Sequence, residues 1–118
     1  MNINTSNIIF YCDRWNDTVS FYQNILKLDI TFSNDWFVEF ELNKLARLSV
    51  ADSKHSTIKS AKGQGCTLSL NVCDLNMVHT DMLSKGADPS PVKKLWGSKV
   101  FYVFDPEGNR IEFWEEIK

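Results

Sequence analysis

The stretch FDPEGNRIEFWEE (104–116) combines a tight turn with a strand that carries a carboxylate. Pro106 has the φ that the second position of a turn requires, and Gly108 and Asn109 tolerate positive φ. The residues before the turn, VFYVF (100–104), are β-branched or aromatic, as is typical of a strand. The stretch therefore predicts a β-hairpin.

The strand after this turn, RIEFW (110–114), has two chemically different faces. Side chains alternate along a strand, which separates Ile111 and Phe113 from Arg110, Glu112 and Trp114. Glu112 therefore lies on the face opposite the aliphatic residue, beside an indole. The pattern is compatible with a metal ligand, with a group that binds an organic ligand, and with an exposed charge on a solvated face.

Length and composition limit the class of protein. A chain of 118 residues can bury a core without disulfides or structural metals. Its 43% hydrophobic and 24% charged residues are typical of a soluble globular protein, and a net charge of -2 gives no electrostatic basis for nucleic-acid binding. The aromatic content of 13%, with 4 Trp, fits an aromatic-lined cavity and equally a core built from large rings.

Targeting signals and cysteine usage predict a cytoplasmic protein without membrane contact. No run approaches the roughly 18 apolar residues of a membrane span. The first residues, MNINTSN, lack the basic and apolar regions of a signal peptide. Cys12, Cys66 and Cys73 are odd in number and form no C-x-x-C, which predicts reduced thiols and no disulfide framework or thiolate zinc site.

The chain contains one internal repeat. IIFYCDRWNDTVSFYQNIL (8–26) and LSLNVCDLNMVHTDMLSKG (68–86) share an apolar strand, a Cys-Asp pair and an amphipathic helix. Asp13 and Asp74 are expected to cap the helices that follow them. Gly86 is suited to end the second helix. Apolar stripes at helical spacing support both helices: Val19, Tyr22 and Leu26 in the first, and Leu75, Val78 and Met82 in the second.

Strand signals complete two βαβββ modules. In the first half they are DITF (29–32), WFVEFEL (36–42) and ARLSV (46–50); in the second they are a weak strand at 87–92 and the hairpin. We predict an α+β fold with module 1 at 1–51, a polar linker at 52–65 and module 2 at 66–118. Because each helix covers only one sheet face, the two sheets are expected to curl as one mixed sheet around a shared cavity.

This topology, together with SFYQNILKL (20–28) and FDPEGNRIEFW (104–114), resembles the vicinal oxygen chelate superfamily, which comprises glyoxalases, bleomycin resistance proteins and extradiol dioxygenases. The resemblance covers nearly the whole chain as a single domain. In metal-dependent members, His, Gln or Glu ligands lie on the first strand of each module and a Glu lies on the last strand. Glu112 matches that Glu, and the other ligand positions fall on Ser6 or Asn7, on Thr67, and on Arg47 or Ser49.

The matching positions provide only one good donor, because neutral hydroxyls and an arginine do not replace the water shell of a divalent ion. His55 in the linker and His79 in the second helix are expected to be solvated. We therefore expect no cofactor, with Glu112 as a weak metal candidate. The favoured function is metal-free binding of a small molecule, such as sequestration of an antibiotic or toxin. The alternative is a metal-dependent glyoxalase-like lyase or dioxygenase.

Further ligand-binding candidates come from strand alternation and from one loop. Trp114 lies beside Glu112, and Phe37 and Glu39 share a face that lines the cavity or meets bulk water. Tyr102 is a candidate on a strand whose faces the sequence leaves unassigned. Trp96, in SPVKKLWGSK (90–99), is either on a lid or a plug in the core. The resemblance also implies a homodimer.

Overall fold

The computed structural model describes residues 1–118, and each half of the chain forms a βαβββ unit. The first compact unit, Met1–Lys62, contains β1 (Ser6–Cys12), α1 (Trp15–Ser20) with a following π-helical turn (Phe21–Ile25), β2 (Ile30–Ser33), β3 (Phe37–Asn43) and β4 (Ala46–Asp52). The second, Gly63–Lys118, contains β5 (Thr67–Asn71), α2 (Leu75–Ser84), β6 (Lys93–Leu95), β7 (Ser98–Phe104) and β8 (Arg110–Glu116). Neither helix has the length and apolarity needed to cross a membrane.

Both units have the same sheet topology, which confirms the predicted α+β fold with tandem βαβββ modules. The strand orders are β1-β4-β3-β2 and β5-β8-β7-β6. In each sheet the first strand pairs in parallel with the last, and the remaining pairs are antiparallel. The strands form two four-stranded sheets, and the cavity expected between the modules stays a prediction.

Each sheet buries one face under its own helix. In the first unit, α1 contacts β1 and β4; in the second, α2 contacts β7 and β8. On the helix-covered faces the buried side chains recur at every second residue, as the period of two predicted. They are Phe10, Cys12, Val38, Phe40, Leu48 and Val50 in the first unit, and Phe101, Val103, Ile111 and Phe113 in the second; Ser49, Ala51 and Val100 are also buried, on the opposite faces.

The two helices begin differently. Asp74 caps α2 as predicted, since its Oδ1 accepts a hydrogen bond from the Met77 N–H at 3.1 Å, and Gly86 follows the helix with a φ of 74°. The prediction that Asp13 caps α1 is wrong, because the N-cap is Arg14. The Asp13 carboxylate instead accepts a hydrogen bond from the Ser53 hydroxyl at 2.6 Å. This bond, with Lys62 nearby, lowers the pKa of Asp13.

The π-helical turn after α1 changes which side chains are buried. The Leu26 N–H donates to the Phe21 carbonyl five residues earlier, so the helix is wider here than an α-helix. Phe21 and Tyr22 are buried, whereas Val19 and Leu26 of the predicted stripe are only half-buried. A spacing of 3.6 residues per turn therefore does not describe this segment.

The predicted strand at 87–92 is wrong, and the strand in this region is β6. Pro89 and Pro91 have no N–H to donate to a sheet, and Asp88 has a φ of 55°. Ser90 still holds the segment against β7: its N–H donates to the Tyr102 carbonyl at 2.9 Å, and its hydroxyl accepts from the Tyr102 N–H at 2.8 Å.

A buried carboxylate holds the turn between β7 and β8. Asp105 Oδ1 accepts hydrogen bonds from the N–H groups of Glu107 and Asn109, both at 2.9 Å, and Oδ2 accepts from the Asn109 side-chain amide at 2.8 Å. Gly108 has a φ of 94°. The hairpin is confirmed, and Asn109 contributes its side chain to it while keeping a negative φ.

The chain before β5 packs tightly against this turn through Gly63. Gly63 has a φ of 79°, and a methyl group there would collide with the carbonyl of Gly108. Gly65 has nearly the same φ, 77°, but nothing lies within 4 Å of where its methyl group would be. Gly63 thus meets both a conformational and a steric requirement, and Gly65 meets only the conformational one.

We expect Gly63→Ala to destabilise the protein far more than Gly65→Ala. Positive φ costs an L-residue about 1 kcal/mol at either position, and the collision at Gly63 adds about 2 kcal/mol. Urea unfolding of both variants measures the difference. Equal losses would show that the contact between Gly63 and Gly108 does not form in solution.

Candidate functional site

The face of the second sheet opposite α2, called the open face below, carries the polar residues of β5, β7 and β8. Cross-strand pairing arranges the side chains of this face in four rows. The rows are Thr67, Arg110 and Phe104; Ser69, Glu112 and Tyr102; Asn71, Trp114, Val100 and Lys93; and Glu116, Ser98 and Leu95. The structure therefore brings together the predicted residues Glu112, Trp114 and Tyr102, and it assigns the face of Tyr102 that the sequence left open.

Glu112 occupies the middle row of the open face. Its side chain is half-buried, and Oε1 accepts a hydrogen bond from the Ser69 hydroxyl at 2.6 Å. Tyr102 is its direct neighbour on β7, and Trp114 follows it on the same face of β8. Glu112 is thus a carboxylate between aromatic residues, with one hydroxyl bonded to it, and not a fully solvated charge.

Two cations lie against the ring of Tyr102. The Arg110 guanidinium carbon is 4.5 Å from the ring centroid, and Lys93 Nζ is 5.2 Å from it. Arg110 is positioned by a hydrogen bond from Nε to the Thr67 hydroxyl at 2.9 Å. Sequence reasoning did not propose either cation as a site residue. The signal for Arg110 was present, because alternation placed it on the face of Glu112.

The side chains around Glu112 do not fit a divalent transition metal. Such an ion prefers imidazole, thiolate or carboxylate donors. The nearest donor to Glu112 is the neutral Ser69 hydroxyl, and the Thr67 hydroxyl already accepts from Arg110. No group of three His, Cys, Asp or Glu side chains in the structure is placed to hold a metal.

Three of the other positions implied by the family resemblance have side-chain partners within the first unit. In the first unit, the Ser49 hydroxyl donates to Asn7 Oδ1 at 2.9 Å, and Arg47 lies 3.9 Å from the carboxylate of Glu41. These are two internal polar pairs, and Asn7, Arg47 and Ser49 are not usual ligands of a transition metal. The carboxylate of Glu41 is engaged by an arginine.

The two histidines lie outside the row that contains Glu112. His79 is on α2, on the opposite side of the sheet, with Nε2 2.9 Å from the Ser90 carbonyl and its ring edge-on to Phe101. The expectation that His79 is solvated is therefore wrong, because its ring packs against Phe101 at the edge of the core. His55 is in the first unit, exposed and stacked on Trp36.

Comparison with known proteins identifies the fold. No family model and no curated protein matches this sequence. A glyoxalase/bleomycin resistance protein/dioxygenase from Nocardioides matches with a TM-score of 0.81 at 14% identity, over 100% of this chain and 86% of that one. This chain has the glyoxalase/bleomycin resistance fold.

Two further solved structures agree. Lactoylglutathione lyase from Agrobacterium tumefaciens matches with a TM-score of 0.77 at 18% identity, over 93% of this chain and 91% of that one. A member of the glyoxalase/bleomycin resistance protein/dioxygenase superfamily from Sphaerobacter thermophilus matches with a TM-score of 0.77 at 18% identity, over 95% and 96%. The predicted resemblance is confirmed at the level of the fold.

Within this glyoxalase/bleomycin resistance fold, Phe37 and Glu39 belong to the first unit. Both are half-buried on the sheet face that the first helix leaves open, as alternation predicts. Glu39 Oε1 accepts a hydrogen bond from the Thr31 hydroxyl at 2.8 Å, and the Phe37 ring packs against Trp36 and Phe32. Their part in ligand binding stays a prediction.

Trp96 lies at the tip of the hairpin between β6 and β7. Leu95 pairs with Ser98, so Trp96 and Gly97 form a two-residue turn, with φ values of 50° and 78°. Trp96 is 95% exposed, so its interpretation as a core plug is wrong: a residue at the tip of this turn points away from the sheet. The lid interpretation stays a prediction.

We expect Trp96→Asn to stabilise the protein by about 0.5–1 kcal/mol, because Asn tolerates positive φ and the exposed indole contributes no burial. Trp36→Asn is the control, since Trp36 packs against Phe37 and His55 and its replacement should destabilise. Thermal unfolding of both variants provides the measurement. A loss of stability in Trp96→Asn would mean that the indole packs against protein in solution.

Proposed function

We propose that this protein binds a small organic molecule on the open face without a metal ion, and that Glu112 and Trp114 contact it. One observation carries the proposal. A half-buried carboxylate lies between two aromatic side chains, and a single neutral hydroxyl is hydrogen-bonded to it. A carboxylate in this setting accepts a hydrogen bond from a donor or cationic group, and an indole stacks on an apolar or cationic one.

The surroundings of Glu112 favour an organic ligand over a metal. Arg110, two residues away on the same face, is a cation and supplies no metal donor, and the hydroxyl bonded to Glu112 is neutral. In this proposal the protein sequesters its ligand, for example an antibiotic or toxin, in the cytoplasm. The free and exposed thiols of Cys66 and Cys73 are consistent with a reducing compartment.

A metal-dependent lyase is the second candidate. The position of Glu112 on the last strand and the structural similarity to a lactoylglutathione lyase favour it. In that case Glu112 would be one ligand of the metal. The two candidates make opposite predictions for chelators, because a metal that binds only the folded state adds to its stability.

We expect Glu112→Gln to leave folding nearly intact and to weaken binding of benzylamine, an aromatic cation that tests the carboxylate and the indole together. The lost charge-assisted hydrogen bond corresponds to about 1.5–3 kcal/mol, or roughly a tenfold to hundredfold rise in Kd. Glu116→Gln is the control, because it removes the same charge from an exposed position on β8. Equal Kd values for wild type and Glu112→Gln would contradict the proposed role of Glu112.

Melting temperatures with and without a chelator separate the two candidates. We expect no chelator effect on the wild type or on Glu112→Gln. If a chelator lowers the melting temperature of the wild type but not that of Glu112→Gln, the result would support the metal-dependent enzyme and contradict the metal-free binding protein.

We also propose a homodimer in which a second copy covers the edge strand β2. All of β2 is exposed, including Ile30 at 40% and Phe32 at 53%, and an uncovered apolar edge strand favours association. Sedimentation at micromolar concentration should give about twice the mass of one chain.

The variant Phe32→Glu should shift this dimer toward the monomer, because it buries a charge at the proposed contact. Ile58→Glu is the matched control, since Ile58 is 51% exposed and lies outside the strands. A wild type that sediments as a monomer, or equal effects of the two variants, would contradict the β2 interface.

A further inference from the structure

The arginine on the open face lacks the partner that its counterpart has in the first unit. Arg47 of β4 pairs across the strands with Glu41 of β3, and their charged groups are 3.9 Å apart. Arg110 of β8 occupies the equivalent place in the second sheet, but its partner on β7 is Phe104. The second unit therefore has the arginine but no carboxylate opposite it on the neighbouring strand.

Lys93 adds a second positive charge at the same ring. Lys93 and Arg110 come from different strands, and both lie against the Tyr102 ring, at 5.2 Å and 4.5 Å from its centroid. No ion pair of the structure involves either side chain. Arg110 and Lys93 lie in the rows on either side of the Tyr102 row, and an anion that contacts both side chains would offset their positive charges.

The geometry points to a subsite for an anionic group, formed by Arg110, Lys93 and Tyr102. This inference rests on the proposed function and specifies its ligand. The ligand carries a carboxylate, sulfonate or phosphate next to an apolar or aromatic part. Nε of Arg110 is used by Thr67, so the two terminal nitrogens remain to form the paired hydrogen bonds that planar anions accept.

The spacing of the charged groups adds a second requirement for the ligand. Arg110 and Glu112 are two residues apart on one face of β8, which separates their Cα atoms by about 7 Å. Tyr102 is the direct neighbour of Glu112 on β7 and also contacts Arg110. A ligand that carries a cationic or donor group about 7 Å from its anionic group would therefore engage both ends of the open face.

The test uses small probes followed by two-dimensional NMR of the full chain. Benzoate and phenyl phosphate carry the anion, and benzyl alcohol is the neutral control. We expect both anions to shift the amide signals of Tyr102 and Arg110, and benzyl alcohol to bind at least about fivefold more weakly than the better anion. Tighter binding of benzoate would indicate a carboxylate ligand, and tighter binding of phenyl phosphate would indicate a phosphate ligand.

Charge-matched variants locate the subsite. Lys93→Gln and Arg110→Gln should each raise the Kd of the better anion by about fivefold or more, whereas Lys94→Gln, on the neighbouring residue of β6, should change it less than about twofold. If Arg110→Gln does not fold, Arg110→Lys takes its place in the test. This variant keeps the positive charge, and it should weaken binding less than Lys93→Gln does. Equal effects of Lys93→Gln and Lys94→Gln would overturn the subsite.

Benzylamine separates failure of this inference from failure of the proposed function. If benzylamine binding depends on Glu112 while the anions bind no better than benzyl alcohol, the binding function stands and the anion subsite is wrong. If neither benzylamine nor the anions shift signals on the open face, both are wrong.

Discussion

The buried carboxylate of Asp105 fixes the register of the β7–β8 hairpin, and the positions of the side chains on the second sheet follow from that register. It accepts hydrogen bonds from two backbone N–H groups and one side-chain amide within the turn. A slip of one residue would move Glu112 under α2 and expose Ile111 to water. The core and the candidate site of this unit therefore depend on the same turn.

The two sheets share a topology but neutralise their polar faces differently. In the first sheet, Arg47 has Glu41 beside it, and Asn7 bonds to Ser49, so the polar groups satisfy one another. In the second, the carboxylate of the open face bonds to a serine, while two cations lie on a tyrosine ring. Arg110 and Lys93 are exposed and have no ion-pair partner, so they are available to a ligand, which makes the second sheet the better candidate for binding.

Much of the fold followed from local patterns. The repeat of strand, Cys-Asp and helix predicts two modules, and alternation predicts which residues share a face of each strand. Each prediction that was wrong has a local physical cause. The π-helical turn breaks the helical spacing, Asp13 bonds to Ser53 instead of capping α1, and two prolines and a positive φ exclude a strand at 87–92.

Arg110, Glu112 and Trp114 share one face of a strand because side chains alternate with a period of two, which is a property of the chain alone. What lies beside them depends on the tertiary structure. Ser69 bonds to Glu112, and Lys93 and Arg110 both contact the ring of Tyr102. These neighbours come from other strands, and cross-strand register depends on turns and core contacts distant in sequence.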